Sequence, residues 1–154
     1  MIAKRLHLAA GLLAPLCIAS FFASTVAAEL FGTPQAVTTV KALIVAPGLW
    51  ILLPAMAVLG ASGFALGRAR SGRLVEAKRR RMPLVAANGL LVLLPCAIVL
   101  ARWAAEGRFD TRFYAVQALE LAAGATNLVL MLASARDGLR LAGRAQAACA
   151  AQRS

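Results

Sequence analysis

Four apolar runs dominate this chain, each at or above the ~18 residues that read as a transmembrane helix. They are Leu8–Ala28, Ala42–Leu66, Met82–Ala101 and the stretch beginning FYAVQALELAAG at Phe113. Inside hydrocarbon the backbone has no water to bond, so each run must satisfy its own N–H and C=O groups, which a helix does. The pattern predicts one all-α domain of 154 residues with spans at about 6–30, 40–67, 82–104 and 112–135. A basic cytoplasmic loop is expected at 68–81 and a cytoplasmic tail at 136–154. The connections are short, so neighbouring spans should run antiparallel as an integral membrane four-helix bundle.

Composition and charge fit that reading. The chain is 61% hydrophobic with a mean hydropathy of +0.76, where a soluble domain is nearer half apolar. A net charge of +11 would suit a nucleic-acid binder, but the basic residues gather between the apolar runs. RARSGRLVEAKRRR, at 68–81, holds seven basic residues against Glu76. Such a segment stays cytoplasmic and attracts anionic lipid, so Lys78, Arg79, Arg80 and Arg81 are expected to meet headgroups and no nucleic acid is expected. Lys4 and Arg5 at one end and Arg136, Arg140, Arg144 and Arg153 at the other place both termini in the cytoplasm. Phe31, Trp103, Phe109, Phe113 and Tyr114 then fall together at the outer interface, where aromatic side chains favour the headgroup layer.

The first run resembles a secretory signal peptide, with a basic start and Val26-Ala27-Ala28 as a small-residue cleavage site. Its uncharged stretch of about 21 residues exceeds the 7–15 of a signal core, so an uncleaved span is expected. Ala19, Ala23 and Ala27, beside Ser20 and Ser24, form a small-residue stripe that would let a neighbouring helix approach. Gly63 and Gly67 offer a weaker version in the second run. Pro47 and Pro54 should kink that run, and Pro83 suits a helix's first turn. Cys17, Cys96 and Cys149 have no metal-ligand spacing, so no metal is expected.

The fourth run carries the polar residues that ask for an explanation. Gln117, Glu120, Gly124 and Asn127 follow i,i+3 and i,i+4 spacing and share one helix face. An ionisable residue in a span faces a partner or a cavity rather than lipid. Lys41 and Glu29 lie at the same expected depth as Glu120, so Lys41 should pair with one of the two carboxylates. The other reading is an outward-facing pocket of the three for an ion or small polar ligand. Asn88 and Asn127 are expected at matching depth, where a hydrogen bond is worth about 0.6–2 kcal/mol.

His7 is the single histidine, and its LHxxxG setting faintly resembles the haem-bearing helices of b-type cytochromes. That resemblance implies haem b, with Met56, Met82, Met131 or a second subunit as the other ligand. No cofactor is otherwise expected. No catalytic residues are assigned: the sequence has no Ser/His/Asp arrangement, phosphate loop or HExxH motif.

RMPLVAANGLLVLLP, at 81–95, and FYAVQALELAAGATNLVLMLASARDGLRL, at 113–141, resemble a type of small four-helix inner-membrane protein from GC-rich bacteria without an assigned activity. The resemblance implies a location in the bacterial inner membrane and the same fold. The function expected is a non-catalytic accessory or assembly subunit, in a homo-oligomer or a larger membrane complex. The alternatives are transport along Glu120, Gln117 and Asn127, or a haem- or quinone-contacting redox subunit using His7.

Overall fold

The computed structural model describes residues 2–68 and 73–151. Of the residues singled out above, the side chains of Lys4, Lys78, Arg79, Arg144, Cys149 and Arg153 lie outside the described residues. Helices account for every regular element among those described: α1 (Ile2–Phe31), α2 (Pro34–Leu43), α3 (Leu49–Arg68), α4 (Arg73–Asn88), α5 (Leu94–Ala105) and α6 (Thr111–Ala151). They supply four segments long and apolar enough to cross a membrane: Arg5–Phe31, Pro34–Gly63, Arg80–Ala105 and Thr111–Arg140.

Several boundaries fall earlier than the apolar pattern suggests, because polar helix formers and caps set them. Thr33 accepts from the Ala36 N–H at 3.3 Å and Pro34 takes the first helical position, so span two starts at Pro34 rather than near 40. Within the 68–81 segment, expected as a loop, Arg73–Arg81 are already helical, as residues such as Leu, Glu, Ala, Lys and Arg favour. Pro83 consequently lies inside α4 and not in its first turn. At the end of α5, Arg108 N–H bonds Trp103 O at 2.9 Å and Gly107 N–H bonds Ala104 O at 3.1 Å. This pairing closes the helix through a residue with positive φ, and Gly107 (φ 69°) provides it. Asp110 then caps α6, its Oδ1 accepting from Phe113 N–H at 3.0 Å.

Proline shapes two of the spans. Ala46 leaves helical geometry (φ −142°, ψ 115°) just before Pro47, and α2 and α3 meet there at a kink. Pro54 lies within α3 without a break. A Cβ on Gly48 would sit 2.7 Å from Phe21 Cζ and 2.9 Å from Leu43 O, so the missing side chain lets Phe21 fill the inside of the bend. In span three, one π turn at Gly89–Leu93 precedes Pro95. Proline can neither donate to nor closely approach the carbonyl a turn earlier, and the wider turn relieves that conflict.

Two buried clusters each draw on all four spans. One holds Ala14, Ile18, Leu52, Ala55, Val85 and Met131. The other holds Ala28, Val37, Leu100, Ala104 and Phe113, with Phe109 edge-on to Phe113 at 5.0 Å. Span one meets α3 through Ala14 and Ile18, both buried against Leu52 and Ala55, and Ala10 one turn earlier is buried too. The stripe Ala19, Ala23 and Ala27, expected to receive a helix, is exposed. The Ala10–Ala14 face is as small, and it adds Gly11, whose Cα side lies against Leu59. Outside the clusters, Leu8, Leu16, Trp50, Leu91 and Val129 are exposed, as side chains facing hydrocarbon would be.

Gly48→Ala should lower the unfolding midpoint, at a cost of about 1–3 kcal/mol for forcing Phe21 aside. Gly60→Ala, where a Cβ meets nothing within 4 Å, should leave the midpoint within experimental scatter. Tryptophan fluorescence during heating in mild detergent measures both.

Candidate functional site

Three polar side chains meet where Lys41 of span two reaches across to span four. Lys41 is 1% exposed, and its Nζ donates to Glu120 Oε2. Gln117, one turn earlier on α6, donates from Nε2 to the same oxygen at 3.2 Å. Lys41 reaches this point because α2 buries Val37 and Lys41 on one face, a turn apart. Of its two candidate partners Lys41 takes Glu120. Glu29 stays outside the pair, and its Oε1 is buried without a hydrogen bond, as is Gln117 Oε1. A charge pair at membrane depth holds when its charges are matched and its remaining lone pairs are bonded. Here one carboxylate oxygen accepts from both neighbours.

Two helical turns along α6 lies a second polar contact. Asn88 Nδ2 donates to Asn127 Oδ1 and to Ala123 O, both at 2.9 Å. Asn127 is fully buried, and its Nδ2 donates to Val85 O at 3.4 Å. The two asparagines thus tie span three to span four through side-chain and backbone groups together. Gln117, Glu120, Gly124 and Asn127 all face the interior, yet hydrogen bonds divide them into two groups. Glu120 and Asn127 stand seven positions apart, about 10 Å along the helix.

A cavity of about 580 Å³ lies between these groups and is bounded by all four spans. Its lining is apolar apart from Thr25, Glu120 and Asn127. Spans two and three meet at both ends of the cavity. At one end Thr38 Oγ1 donates to Ala104 O at 3.0 Å; at the other, Gly63 packs against Met82. Between those contacts the lining residues Leu53, Ala57 and Leu90 are exposed, so the cavity opens sideways between these two spans.

The remaining candidates are dispersed. His7 Nδ1 lies 2.9 Å from Ser62 Oγ, and its ring and Met82 both border Gly63. Met56 borders the cavity, whose lining does not include His7, and Met131 belongs to a packed cluster. Arg81 is drawn inward, its Nη1 donating to Asp137 Oδ2 at 2.7 Å, which links spans three and four; Arg80 is exposed. Sequence reasoning missed the cavity and Thr25. Their one local signal is the small residues Ala57, Gly60, Ala86 and Gly89 on the lining of spans two and three. Comparison with models of protein families, with curated proteins and with solved structures gives no match for this chain.

Asn88→Leu should destabilise the protein by about 1–2 kcal/mol, because Asn127 Oδ1 and Ala123 O both lose a donor. Adding Asn127→Leu should cost much less than the sum of the two single changes, since the residues share one network. Unfolding midpoints of the three variants in one detergent give the coupling.

Proposed function

We propose that this chain is a multi-pass protein of the bacterial inner membrane, an antiparallel four-helix bundle with both termini in the cytoplasm. In this reading it acts as a non-catalytic accessory or assembly subunit, docking through span one onto a second copy or a larger membrane complex. The observation that carries it is the exposed stripe Ala19, Ala23 and Ala27 on α1. The chain's own helices leave this close-packing face uncovered, while Lys41, Glu120 and Gln117, and Asn88 and Asn127, bond to one another inside.

The contacts support the bundle. Along α1, Ile18, Phe22 and Ala28 meet progressively earlier parts of α6, around Met131, Gly124 and Phe113, as antiparallel neighbours do. The charge pattern supports the orientation, because Arg81 pairs with Asp137 of α6 and so brings Arg80 and Arg81 to the end that also carries Arg136 and Arg140. Exposed Arg80 then meets anionic headgroups. The division of the polar residues favours contact over transport. A conducting path from Glu120 to Asn127 would have to cross an apolar interval of about 10 Å.

Native mass spectrometry of the protein, extracted from its own membrane in mild detergent, tests the reading. A mass above the monomer is expected, from a second copy or a retained partner. Ala23→Leu should return the mass to that of the monomer without lowering the unfolding midpoint. A bare monomer for the unaltered protein would contradict the proposal.

A further inference from the structure

The cavity between the two polar groups is the feature that the contact role leaves unused. Its volume of about 580 Å³ lies in the range of small-molecule sites. At ~30 Å³ per water-sized group it holds roughly twenty heavy atoms. The walls are apolar side chains from all four spans, such as Phe22, Leu52, Leu93 and Leu121. A cavity so lined does not favour water. Its opening, flanked by Leu53, Ala57 and Leu90, lies in the middle of spans two and three. What enters there comes from the hydrocarbon of the bilayer.

One end of the cavity has a different chemistry. Phe22 on α1 packs against Gly124 on α6, 3.6 Å from where a Cβ would stand. One turn further along α1 is Thr25, and one turn back along α6 is Glu120, which brings the two to the same level. Glu120 Oε2 is taken by Lys41 and Gln117. Glu120 Oε1 and Thr25 Oγ1 make no hydrogen bond among the described residues, and neither is sealed off by protein. Thr25 is only 3% exposed, so its hydroxyl has the cavity and little else to face.

From this arrangement we infer that the cavity binds a neutral, hydroxyl-bearing membrane amphiphile. Its hydroxyl donates to Glu120 Oε1 and accepts from the Thr25 hydroxyl, while its apolar chain leaves between spans two and three. The charges select against the alternatives. Lys41 already holds Glu120, so an ammonium head would have to compete with a lysine for the same carboxylate. A phosphate or carboxylate head would meet the free oxygen of a carboxylate. A hydroxyl offers the donor that this oxygen lacks and brings no charge to desolvate. The inference stands on the interior of one chain and does not depend on how many copies assemble.

The test uses the full-length protein in phosphatidylcholine vesicles and a photoreactive long-chain primary alcohol as probe. Labelling should fall on the span-three segment 86–97 and should saturate. Unlabelled alcohol should compete about fivefold better than its methyl ether, which lacks the donor and so forgoes one hydrogen bond. Ala57→Phe, which narrows the opening from the exposed side, should reduce the labelling to background. Thr25→Val, of similar shape, should weaken competition by alcohol and ether alike, since both oxygens accept from the Thr25 hydroxyl, and should leave the preference between them unchanged. Equal competition by alcohol and ether on the unaltered protein would overturn the inference. So would labelling confined to outward-facing positions such as Leu12 and Leu16, or unchanged by Ala57→Phe in folded protein. The competition on the unaltered protein decides the matter even where a variant fails to fold.

Discussion

A lysine and a glutamate cannot be carried into hydrocarbon separately, and the pairing of Lys41 with Glu120 sets the terms for the rest of the structure. It fixes span two against span four at one level. Gln117 must then point at the same carboxylate oxygen, and α6 must present its polar face inward. With that face inward, Asn127 meets Asn88 two turns later and brings span three into register. Span one has one polar tie, His7 to Ser62 of α3. Otherwise it is held by close packing of Ala14 and Ile18 on α3 and of Phe22 on Gly124. Because lipid tails are as apolar as the helices, this packing and these hydrogen bonds, not burial from water, distinguish one arrangement from another.

The same constraint explains why the interior is not solid. The two polar contacts hold α6 at separate heights, and two departures from regular helix lie beside the interval between them. The kink at Ala46 and Pro47 and the wide turn at Gly89–Leu93 both border the cavity, through Ile44 and through Gly89, Leu90 and Leu93. Each arises from a proline that cannot complete the ordinary helical bond. The space is thus bounded by irregular backbone in two of four walls, a placement in which wide turns commonly accompany a binding function.

The four spans were legible because an apolar run of that length has few other folds available. Their limits were less so. Pro34 and Arg73 begin helices in polar sequence, where capping and propensity act and hydropathy is silent. The shared face of Gln117, Glu120, Gly124 and Asn127 followed from spacing alone, and counting residues from the span ends brought Asn88 level with Asn127. The choice of Glu120 over Glu29 as the partner of Lys41 did not follow, because both carboxylates lie at a similar height and hydropathy does not record which of them the Lys41 side chain reaches. The small-residue stripe on span one was visible, but whether it faced in or out was not, since Ala10, Gly11 and Ala14 form an equivalent face on the same helix. The cavity was hidden for a further reason. It is a shortage of side-chain volume summed over four helices, and no single stretch of sequence records it.

Lys41 and Glu120 act as one unit in this fold, and removal of one charge compared with removal of both tests that most directly. Lys41→Met leaves a carboxylate unmatched in the membrane and should cost about 3–5 kcal/mol, read as loss of folded protein in detergent. Lys41→Met combined with Glu120→Leu removes both charges and should recover most of that stability. A Lys41→Met protein as stable as the unaltered chain, or a double variant as damaged as the single one, would contradict the claim that this pair organises the fold.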